Sequence, residues 1–438
     1  MKLKKLTVLT LVLVFALSIS AGAMLLDYEE EFGEIDFEGE EVTYVMFYDH
    51  FEEFEEGGDY AGRLEEAKEK FNIGEIEYLH VGWGDEAEEM MMSRLLGGDS
   101  NYDMWMLPHR NVWSMSTQGA FYPLNEVLPQ EYFDNMSPDM ESITETLSYG
   151  GETYSVGLGE DHYHTLVYLA WNKDIFDREG MTPLDELYEQ GDLTWNAVED
   201  IARQVTRDTS GDGEIDQWGF GDGDVLSFVS SNDVFPTTQD EDGNVVFDYN
   251  SEEAVTALSR MQEWIQDDLF GGSWERTEFR DGVIAMEIHE IWEFEETMEE
   301  MEDDWGAVPM PRGPHADDHV YFANNLDGFY LPANSEDPAA MIALHNFLYP
   351  QEEWLEDRET FRIEYAPDEL TYQVMKDAEQ EWDGEAYTMQ GILGDWWDDS
   401  QPFGGAVGAI MYGGDDAATT MDAAAQAIQS DLDSMFEQ

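Results

Sequence analysis

The sequence contains no cysteine, which excludes disulfide bonds and thiol catalysis and removes the lipidated cysteine that anchors many surface proteins. Positive charge is scarce too: 19 Lys and Arg stand against 100 Asp and Glu, for a net charge of -81 at pH 7. Nucleic acid and anionic membrane surfaces are therefore excluded as partners, because little basic surface is left to neutralise phosphate groups.

Catalytic signatures are lacking as well. The chain has no GxSxG elbow, no P-loop and no GxGxxG after a strand, and its nine His form no HExxH pattern. Carboxylate pairs, which carry out glycoside hydrolysis in many enzymes, are uninformative here because 100 acidic residues produce such pairs by chance. The sequence thus predicts a protein that is not an enzyme.

The acidic excess has two interpretations. It forms an ordinary solvated surface, or it is an adaptation to concentrated salt, which screens like-charge repulsion with a Debye length of about 3 Å at 1 M. Lysine is depleted more strongly than arginine, with only Lys68, Lys70, Lys173 and Lys376 beyond the N-terminal segment. We therefore favour a halophilic protein, whose fold loosens in dilute buffer.

Residues 1–23 have the composition of a signal peptide. Lys2, Lys4 and Lys5 precede an apolar run over 6–19, and Ala21-Gly22-Ala23 forms a small-residue cleavage site. The apolar run is short for a membrane span. We expect a mature protein that is secreted across the inner membrane, soluble in the periplasm or outside the cell, and not lipid-anchored. Residues 24–40 are acidic with little pattern and predict a flexible lead-in.

The length of 438 residues predicts two domains, and 42% hydrophobic residues suffice for full cores. Between residues 41 and 107, β-branched and aromatic runs alternate with helical spacing. The predicted strands and helices are Glu41–Tyr48, Tyr60–Phe71, Ile76–Val81, Glu86–Leu96 and Tyr102–Leu107, in the order strand, helix, strand, helix, strand. This order indicates an α/β layer with a largely parallel sheet. Further along, we predict helices that start at the N-caps Thr194 and Ser251.

An acidic loop with alternate oxygen side chains follows the first of these helices. Its candidate calcium ligands are Asp208, Ser210, Asp212 and Asp216. The EF-hand template has glycine at position 6 and a bidentate Glu at position 12, where this loop has Gly213 and Gly219. The alternative is a tight polar turn, in which Asp and Gly adopt special backbone angles. No other cofactor is predicted.

Aromatic residues are abundant at 13% and include 14 Trp. Several lie in polar, loop-like contexts: Trp83, Trp113, Trp292, Trp396, Trp397 and Phe403. Flat rings beside carboxylates suit a sugar, whose C–H face stacks on the ring while its hydroxyls form hydrogen bonds. For any single ring, half-buried packing in a core is the alternative.

Six short segments, taken in order, resemble the bacterial extracellular solute-binding proteins that deliver sugars to ABC transporters, the maltose-binding-protein-like family 1. They are Tyr102–Leu124, Gly150–Gly157, Trp171–Phe176, Leu193–Trp195 with the loop 208–219, Phe279–Met286 and Trp305–Gly313. The segment Trp171-Asn172-Lys173-Asp174-Ile175-Phe176 is similar to the family's Y-N-K-D-x-F. The resemblance covers nearly all of the chain from Val42 to Leu432.

The resemblance implies an α/β, two-lobed periplasmic-binding-protein fold, type II-like, with discontinuous lobes joined by hinge strands. We assign 41–157 plus 308–365 to the N-terminal lobe and 158–307 plus 366–438 to the C-terminal lobe. The crossings are expected near Gly157–Asp161 and Ala307–Pro311. The implied function is capture of a sugar or oligosaccharide in an interlobe cleft, followed by delivery to the permease subunits of an ABC importer. A monomer is expected.

The predicted ligand-binding residues combine this resemblance with the aromatic argument. They are Tyr48, Asp49, Trp83, His109, Arg110, Asn111, Glu160, His162, Glu290, Trp292, Trp397 and Phe403. Arg110 would act as a fork donor to vicinal hydroxyls, with a surface ion pair as the alternative. Two other functions stay open: a secreted carbohydrate-active enzyme such as a glycosidase or lyase, and the same fold binding a peptide or another non-sugar polar solute.

Overall fold

The computed structural model describes residues 28–47, 51–54, 58, 60–82, 85–108, 115–134, 144, 147–155, 165–221, 226–240, 244–272, 277–323, 326–382, 393 and 400–436. The predicted signal peptide lies outside these residues. Among the helices in the described ranges, none is long and apolar enough to cross a membrane.

The described part of the chain contains both helices and strands, interspersed along the sequence up to β13 and followed by helices only. From residue 28 to 153 these are α1 Tyr28–Phe32, β1 Glu41–Met46, α2 Arg63–Phe71, β2 Glu75–His80, α3 Asp85–Gly97, β3 Asp103–Pro108, α4 Gln130–Asp134, β4 Ser148–Tyr149 and β5 Glu152–Thr153. From 167 to 309 they are β6 Val167–Asn172, α5 Lys173–Glu179, α6 Leu184–Gln190, α7 Trp195–Val205, β7 Trp218–Gly221, α8 Leu226–Ser230, β8 Thr237–Gln239, β9 Val245–Phe247, α9 Glu252–Gln266, β10 Phe270–Gly271, α10 Thr277–Arg280, β11 Ile284–Glu290, α11 Glu293–Glu300 and β12 Trp305–Pro309. The remainder comprises β13 Asp327–Tyr330, α12 Pro338–Leu348, α13 Gln351–Tyr365, α14 Glu369–Glu381, α15 Pro402–Met411 and α16 Ala417–Met435.

The chain divides into two compact units, each made of two separate stretches. Unit 1 comprises Met1–Asp161 and Leu326–Ile363, and unit 2 comprises His162–Asn325 and Glu364–Gln438. The chain therefore passes between units after residues 161, 325 and 363, compared with the predicted 157, 307 and 365. The third passage lies inside helix α13, two residues before the predicted position.

Unit 1 contains, within its described residues, a four-stranded sheet in the order β13-β3-β1-β2. Strand β1 is parallel to both β2 and β3, while β13 is antiparallel to β3. Every residue of β3 is buried, as expected for a strand that is covered on both faces by helices. The strand–helix–strand–helix–strand order predicted for residues 41–107 is confirmed.

The segment before β1, predicted to be a flexible lead-in, packs against unit 1 at its end, around Phe37 and Gly39. Phe37 is only 3% exposed, and its backbone N–H donates to the carbonyl of Phe71 at 2.9 Å. The N–H of Gly39 donates in the same way to Asn72, at 2.8 Å. The acidic composition concealed this docking, because one buried phenylalanine and a few backbone hydrogen bonds are enough to order the segment.

Unit 2 contains, in the part that the structure describes, a five-stranded sheet in the order β10-β7-β11-β6-β12. Strands β10, β7 and β11 are parallel, and β6 is antiparallel to both β11 and β12. Strand β12 pairs with β6 from Trp305 opposite Asn172 to Pro309 opposite Tyr168. The predicted crossing at Ala307–Pro311 is therefore wrong, because these residues continue the sheet of unit 2.

The segment around Asn172 shows why a Trp-Asn-Lys-Asp sequence folds as it does. The Asn172 side chain accepts a hydrogen bond from the Ile175 N–H at 2.9 Å and so caps α5. Lys173 forms an ion pair with Asp368, whose carboxylate also caps α14 by accepting from the Thr371 N–H. Thr194 and Ser251 cap α7 and α9, as predicted.

Strand β7 and helix α7 approach each other so closely that Gly219 has no space for a side chain. A Cβ atom at Gly219 would lie 2.4 Å from the Cβ and 2.5 Å from the Cα of Ala202. We expect Gly219→Ala to lower the free energy of unfolding by about 1–3 kcal/mol, because the helix must move outward. Urea denaturation measures this loss, and adding Ala202→Gly should recover part of it. Strictly additive effects of the two substitutions would contradict the contact.

Candidate functional site

In unit 1, three parallel strands end at one edge of the sheet. Strand β1 lies between β2 and β3, with Met46 opposite His80 and Val45 opposite Trp105. The chain leaves β1 toward β2 on one side and later returns to β3 on the other. This change of direction creates a topological switch point, where α/β folds bind ligands beyond the carboxyl ends of their strands.

The predicted ligand residues of unit 1 follow these strand ends directly in the sequence. Tyr48 and Asp49 come after β1, Trp83 after β2, and His109, Arg110 and Asn111 after β3. All six lie outside the described residues, as do Glu160, His162 and Trp397, so their role as ligand residues stays a prediction. What the structure establishes is that the described strands preceding the first six end at the same edge.

In unit 2, the parallel strands β7 and β11 likewise end at one edge, at Gly221 and Glu290. The chain then turns through Ile291 and Trp292 into α11. Ile291 is buried, whereas the Trp292 side chain is 50% exposed. A tryptophan that keeps half of its surface in water beyond a strand end is available to a ligand, in contrast to the buried Trp105, Trp195 and Trp264.

Two carboxylates fix the Trp292 turn. The indole Nε1–H of Trp292 donates to Oε2 of Glu290 at 2.8 Å, and the backbone N–H of Glu290 donates to Oε2 of Glu293, also at 2.8 Å. Glu293 is 3% exposed. Glu290 and Trp292 were predicted as ligand residues, and the structure brings them together. Glu293 was missed, although an acidic residue in the first turn of a helix is a common partner for free backbone N–H groups.

Strand β11 contains a second acidic residue, Glu287, three positions before Glu290. Glu287 and His289 are both buried, and His289 Nε2 lies 3.1 Å from Glu287 Oε2. A Cβ atom on Gly221 of the neighbouring strand would lie 2.1 Å from Glu287 Oε1, so a side chain at this position would displace the Glu287 carboxylate. This pair occupies the interior of unit 2 and anchors the strand that leads to Trp292.

The geometry of unit 2 does not support Phe403 as a ligand residue. Its side chain is 2% exposed, and its ring lies 5.6 Å from that of Tyr249 and 6.4 Å from that of Phe247. Phe403 follows Pro402 in the first turn of α15 and anchors that helix on the β9 region. Packing contacts therefore occupy the ring, and we withdraw it from the stacking residues.

The acidic loop after α7 closes on itself. Asp208 accepts hydrogen bonds from the backbone N–H groups of Gly211 and Gly213, and Asp216 accepts from those of Thr209 and Ser210. The Gly213 and Gly211 N–H groups are the main cause of the lowered pKa of Asp208, and the Thr209 N–H lowers the pKa of Asp216. Both carboxylates thus act as they would in a tight polar turn.

No group of three His, Cys, Asp or Glu side chains in the described ranges is arranged to hold a metal ion. The hydrogen bonds above are those of a tight polar turn at Asp208, Ser210, Asp212 and Asp216. The calcium interpretation stays a prediction, which a calcium titration of the full chain tests.

Comparison with known proteins shows which family the chain belongs to. Residues 63–358, about two thirds of the chain, match the family model described as bacterial extracellular solute-binding protein. The chain belongs to this family. No curated protein sequence matches this solute-binding protein. The family resemblance inferred from the six segments is therefore confirmed.

Solved structures of solute-binding proteins share the fold along nearly their whole length. An ABC substrate-binding protein of Listeria monocytogenes in complex with cycloalternan has a TM-score of 0.63 and 18% identity, covering 89% of this chain and 98% of its own. The maltose/maltodextrin-binding domain MalE of Bdellovibrio bacteriovorus bound to maltotriose has a TM-score of 0.62 and 18% identity, covering 91% and 99%. UgpB of Mycobacterium tuberculosis in complex with glycerophosphocholine has a TM-score of 0.63 and 14% identity, covering 90% and 98%.

At sequence identities of 14% to 18%, the solved structures establish the fold of this chain and not its ligand. The α/β, two-lobed periplasmic-binding-protein fold expected from the sequence is confirmed. The family and the similar structures are binding proteins rather than enzymes.

Proposed function

We propose that this solute-binding protein is the extracytoplasmic component of an ABC importer that captures a sugar or oligosaccharide and delivers it to the membrane permease. The observation that carries the sugar assignment is the half-exposed Trp292 ring, held beside the Glu290 carboxylate at the end of β11. Family membership supports the role in capture, and the carbohydrate complexes of proteins with the same fold are consistent with it.

The chemistry of this pair suits a saccharide. A pyranose presents a face of C–H groups that stacks on an aromatic ring, and its hydroxyls donate to carboxylates at the ring edge. Leaving an indole half in water forgoes part of the roughly 1.5–3 kcal/mol that burial of a large apolar side chain contributes. A ligand that covers the ring recovers this contribution.

The rest of the proposal follows the sequence. We propose that Tyr48, Asp49, Trp83, His109, Arg110, Asn111, Glu160, His162 and Trp397 complete the ligand set, and that the permease subunits are the protein partner. We further propose that the chain is a monomer, secreted with removal of residues 1–23 and, in the absence of cysteine, not lipid-anchored.

A non-sugar polar solute is the second candidate. It is favoured by one observation: a protein with the same fold is known in complex with glycerophosphocholine. A thermal-shift screen in molar salt, with mono- and oligosaccharides in one set and glycerophosphocholine, peptides and polar metabolites in another, separates the two. A secreted carbohydrate-active enzyme, the third possibility, would release products from polysaccharides on incubation.

Removal of the stacking ring tests the sugar site. Trp292→Ala should weaken binding of the best saccharide from the screen by about 1–3 kcal/mol, because the ligand loses that apolar contact. By the same argument, Trp397→Ala should produce a loss of similar size. Isothermal titration calorimetry measures both affinities. Tyr412→Ala is the matched control, since Tyr412 is 63% exposed on the same unit but has no assigned role. Unchanged affinity in both tryptophan variants would refute the assignment.

A further inference from the structure

The contact between Trp292 and Glu290 has a consequence for the kind of saccharide that this protein takes. We infer that Glu290 is a positioning and charge-selecting residue, which holds the Trp292 ring and makes the site prefer uncharged and cationic saccharides over uronic acids and sugar phosphates. This inference rests on the proposed function and adds the ligand class to it.

The positioning part follows from the two hydrogen bonds in the turn. An exposed tryptophan side chain can rotate about its two side-chain bonds, and ordering it on ligand binding costs conformational entropy. The bond from Trp292 Nε1–H to Glu290 Oε2 removes that freedom before the ligand arrives. The buried Glu293 carboxylate, through the Glu290 N–H, holds the backbone from which Glu290 extends. The ring is therefore preorganised.

The charge part follows from what surrounds the ring. Residues 287–304 contain ten Asp and Glu and no Lys or Arg. The nearby Arg280 forms ion pairs with Glu296 at 3.1 Å and Glu300 at 3.0 Å. The structure thus shows a ring whose edge carries a fixed carboxylate, in a segment without a basic residue of its own.

The Glu290 carboxylate affects a bound ligand in two ways: it polarises the Trp292 ring, and it interacts directly with charges on the ligand. The face of an indole is already the negative side of its quadrupole, and donation of the N–H to a carboxylate makes the face more negative. Polarised C–H groups and protonated amino groups are attracted to such a face. An anionic ligand in contact with the ring would be held within a few ångströms of Glu290 and repelled. Molar salt weakens this repulsion, because the Debye length falls to about 3 Å.

The positioning part can be tested without any ligand. In the full chain labelled with ¹⁵N-tryptophan, the signal absent from Trp292→Phe identifies the Trp292 indole N–H. Glu290→Ala should shift this signal upfield and broaden it, because the charged acceptor is lost and the ring becomes mobile. Glu290→Gln should restore a sharp signal, since its amide oxygen still accepts the bond. An indole signal unchanged in Glu290→Ala would overturn the positioning role.

The charge part is tested with a panel of saccharides of different charge. The titrations use the lowest salt concentration at which the near-ultraviolet circular dichroism spectrum still equals that of the fully folded protein. The neutral probes are malto-, cello-, xylo- and mannotriose, the cationic probe is a chitosan trimer, and the anionic probes are trigalacturonate and glucose 6-phosphate. We expect the tightest binder among the neutral or cationic probes, with anionic probes at least about tenfold weaker. This difference in affinity between neutral or cationic and anionic probes should decrease in 2 M KCl, because salt screens the repulsion.

Two variants separate the charge from the position. Glu290→Gln keeps an acceptor for the indole and removes the charge. It should weaken binding of the neutral probe, whose hydroxyls lose a charged acceptor, but weaken binding of anionic probes less, so the difference in affinity between the two narrows. Glu299→Gln is the matched control, since it removes one exposed charge from α11 about two helical turns beyond Trp292 and should leave this difference in affinity unchanged. Tightest binding by an anionic probe would overturn the inference while leaving sugar capture intact. If no saccharide binds at all, the proposed function fails and the ligand class fails with it, while the indole signal still decides the positioning role.

Discussion

Replacing Trp264 by alanine should lower the free energy of unfolding by about 3–5 kcal/mol, the cost of deleting a large ring from a packed core. Trp264 is fully buried in unit 2. Its ring stacks on Phe220, with centroids 5.1 Å apart and planes at 13°, and meets Phe228 edge-on at 5.2 Å. Trp195 contacts it at 6.1 Å. The substitution therefore removes a ring from the centre of a four-membered aromatic cluster.

The measurement is urea denaturation in molar KCl, followed by near-ultraviolet circular dichroism. Trp264→Phe should cost less, because a phenyl ring fills part of the volume. Trp292→Ala makes the same chemical change at a half-exposed position, and we expect a loss below about 1 kcal/mol there. Comparable losses in Trp264→Ala and Trp292→Ala would contradict the assignment of the two rings to core and surface.

Several residues in and around this aromatic cluster could be recognised from the sequence. Thr194, Trp195 and Gly219 were recognised as parts of family motifs, and all three have structural roles: Thr194 caps α7, Trp195 contacts Trp264, and Gly219 allows β7 to touch α7. Such roles depend on local chemistry or on a single close contact. They are therefore visible in short patterns of sequence.

The boundary between the units could not be predicted in the same way. Ala307–Pro311 was assigned to a crossing, but Ala307, Val308 and Pro309 belong to β12, whose five residues pair with β6, more than 130 positions earlier. Pairing between distant strands leaves no local trace in such a short segment. Phe403 was misjudged for a related reason: its loop-like sequence context suggested an exposed ring, whereas it lies in the first turn of a helix that begins at Pro402, a position where proline is favoured.

For the candidate site, Trp292 and Glu290 were predicted from the sequence, but the hydrogen bond between them was not. Their spacing could not show that the carboxylate accepts the indole N–H, because this depends on the turn between β11 and α11. Glu293 was indistinguishable from its neighbours in a segment where acidic residues are frequent. Its burial singles it out, and burial is a property of the folded unit.

Lowering the salt concentration should destabilise the whole protein. The 100 acidic residues outnumber Lys and Arg about fivefold, and described basic residues each neutralise only a few of them. Arg94 pairs with Asp103, Arg203 with Glu199 and Asp267, and Arg280 with Glu296 and Glu300. The remaining carboxylates repel one another, and this repulsion opposes the compact state unless salt screens it.

We expect the melting temperature to fall by about 10 °C or more between 2 M KCl and 20 mM KCl, equivalent to a few kcal/mol for units of this size. Differential scanning fluorimetry over a salt series measures it. Sucrose at equal osmolality is the control, because an uncharged osmolyte stabilises burial without screening charge. Replacing a set of exposed glutamates, such as Glu295, Glu299 and Glu302, by glutamine should reduce the salt dependence. A melting temperature that stays flat from dilute buffer to molar salt would show that the acidic surface is merely solvated.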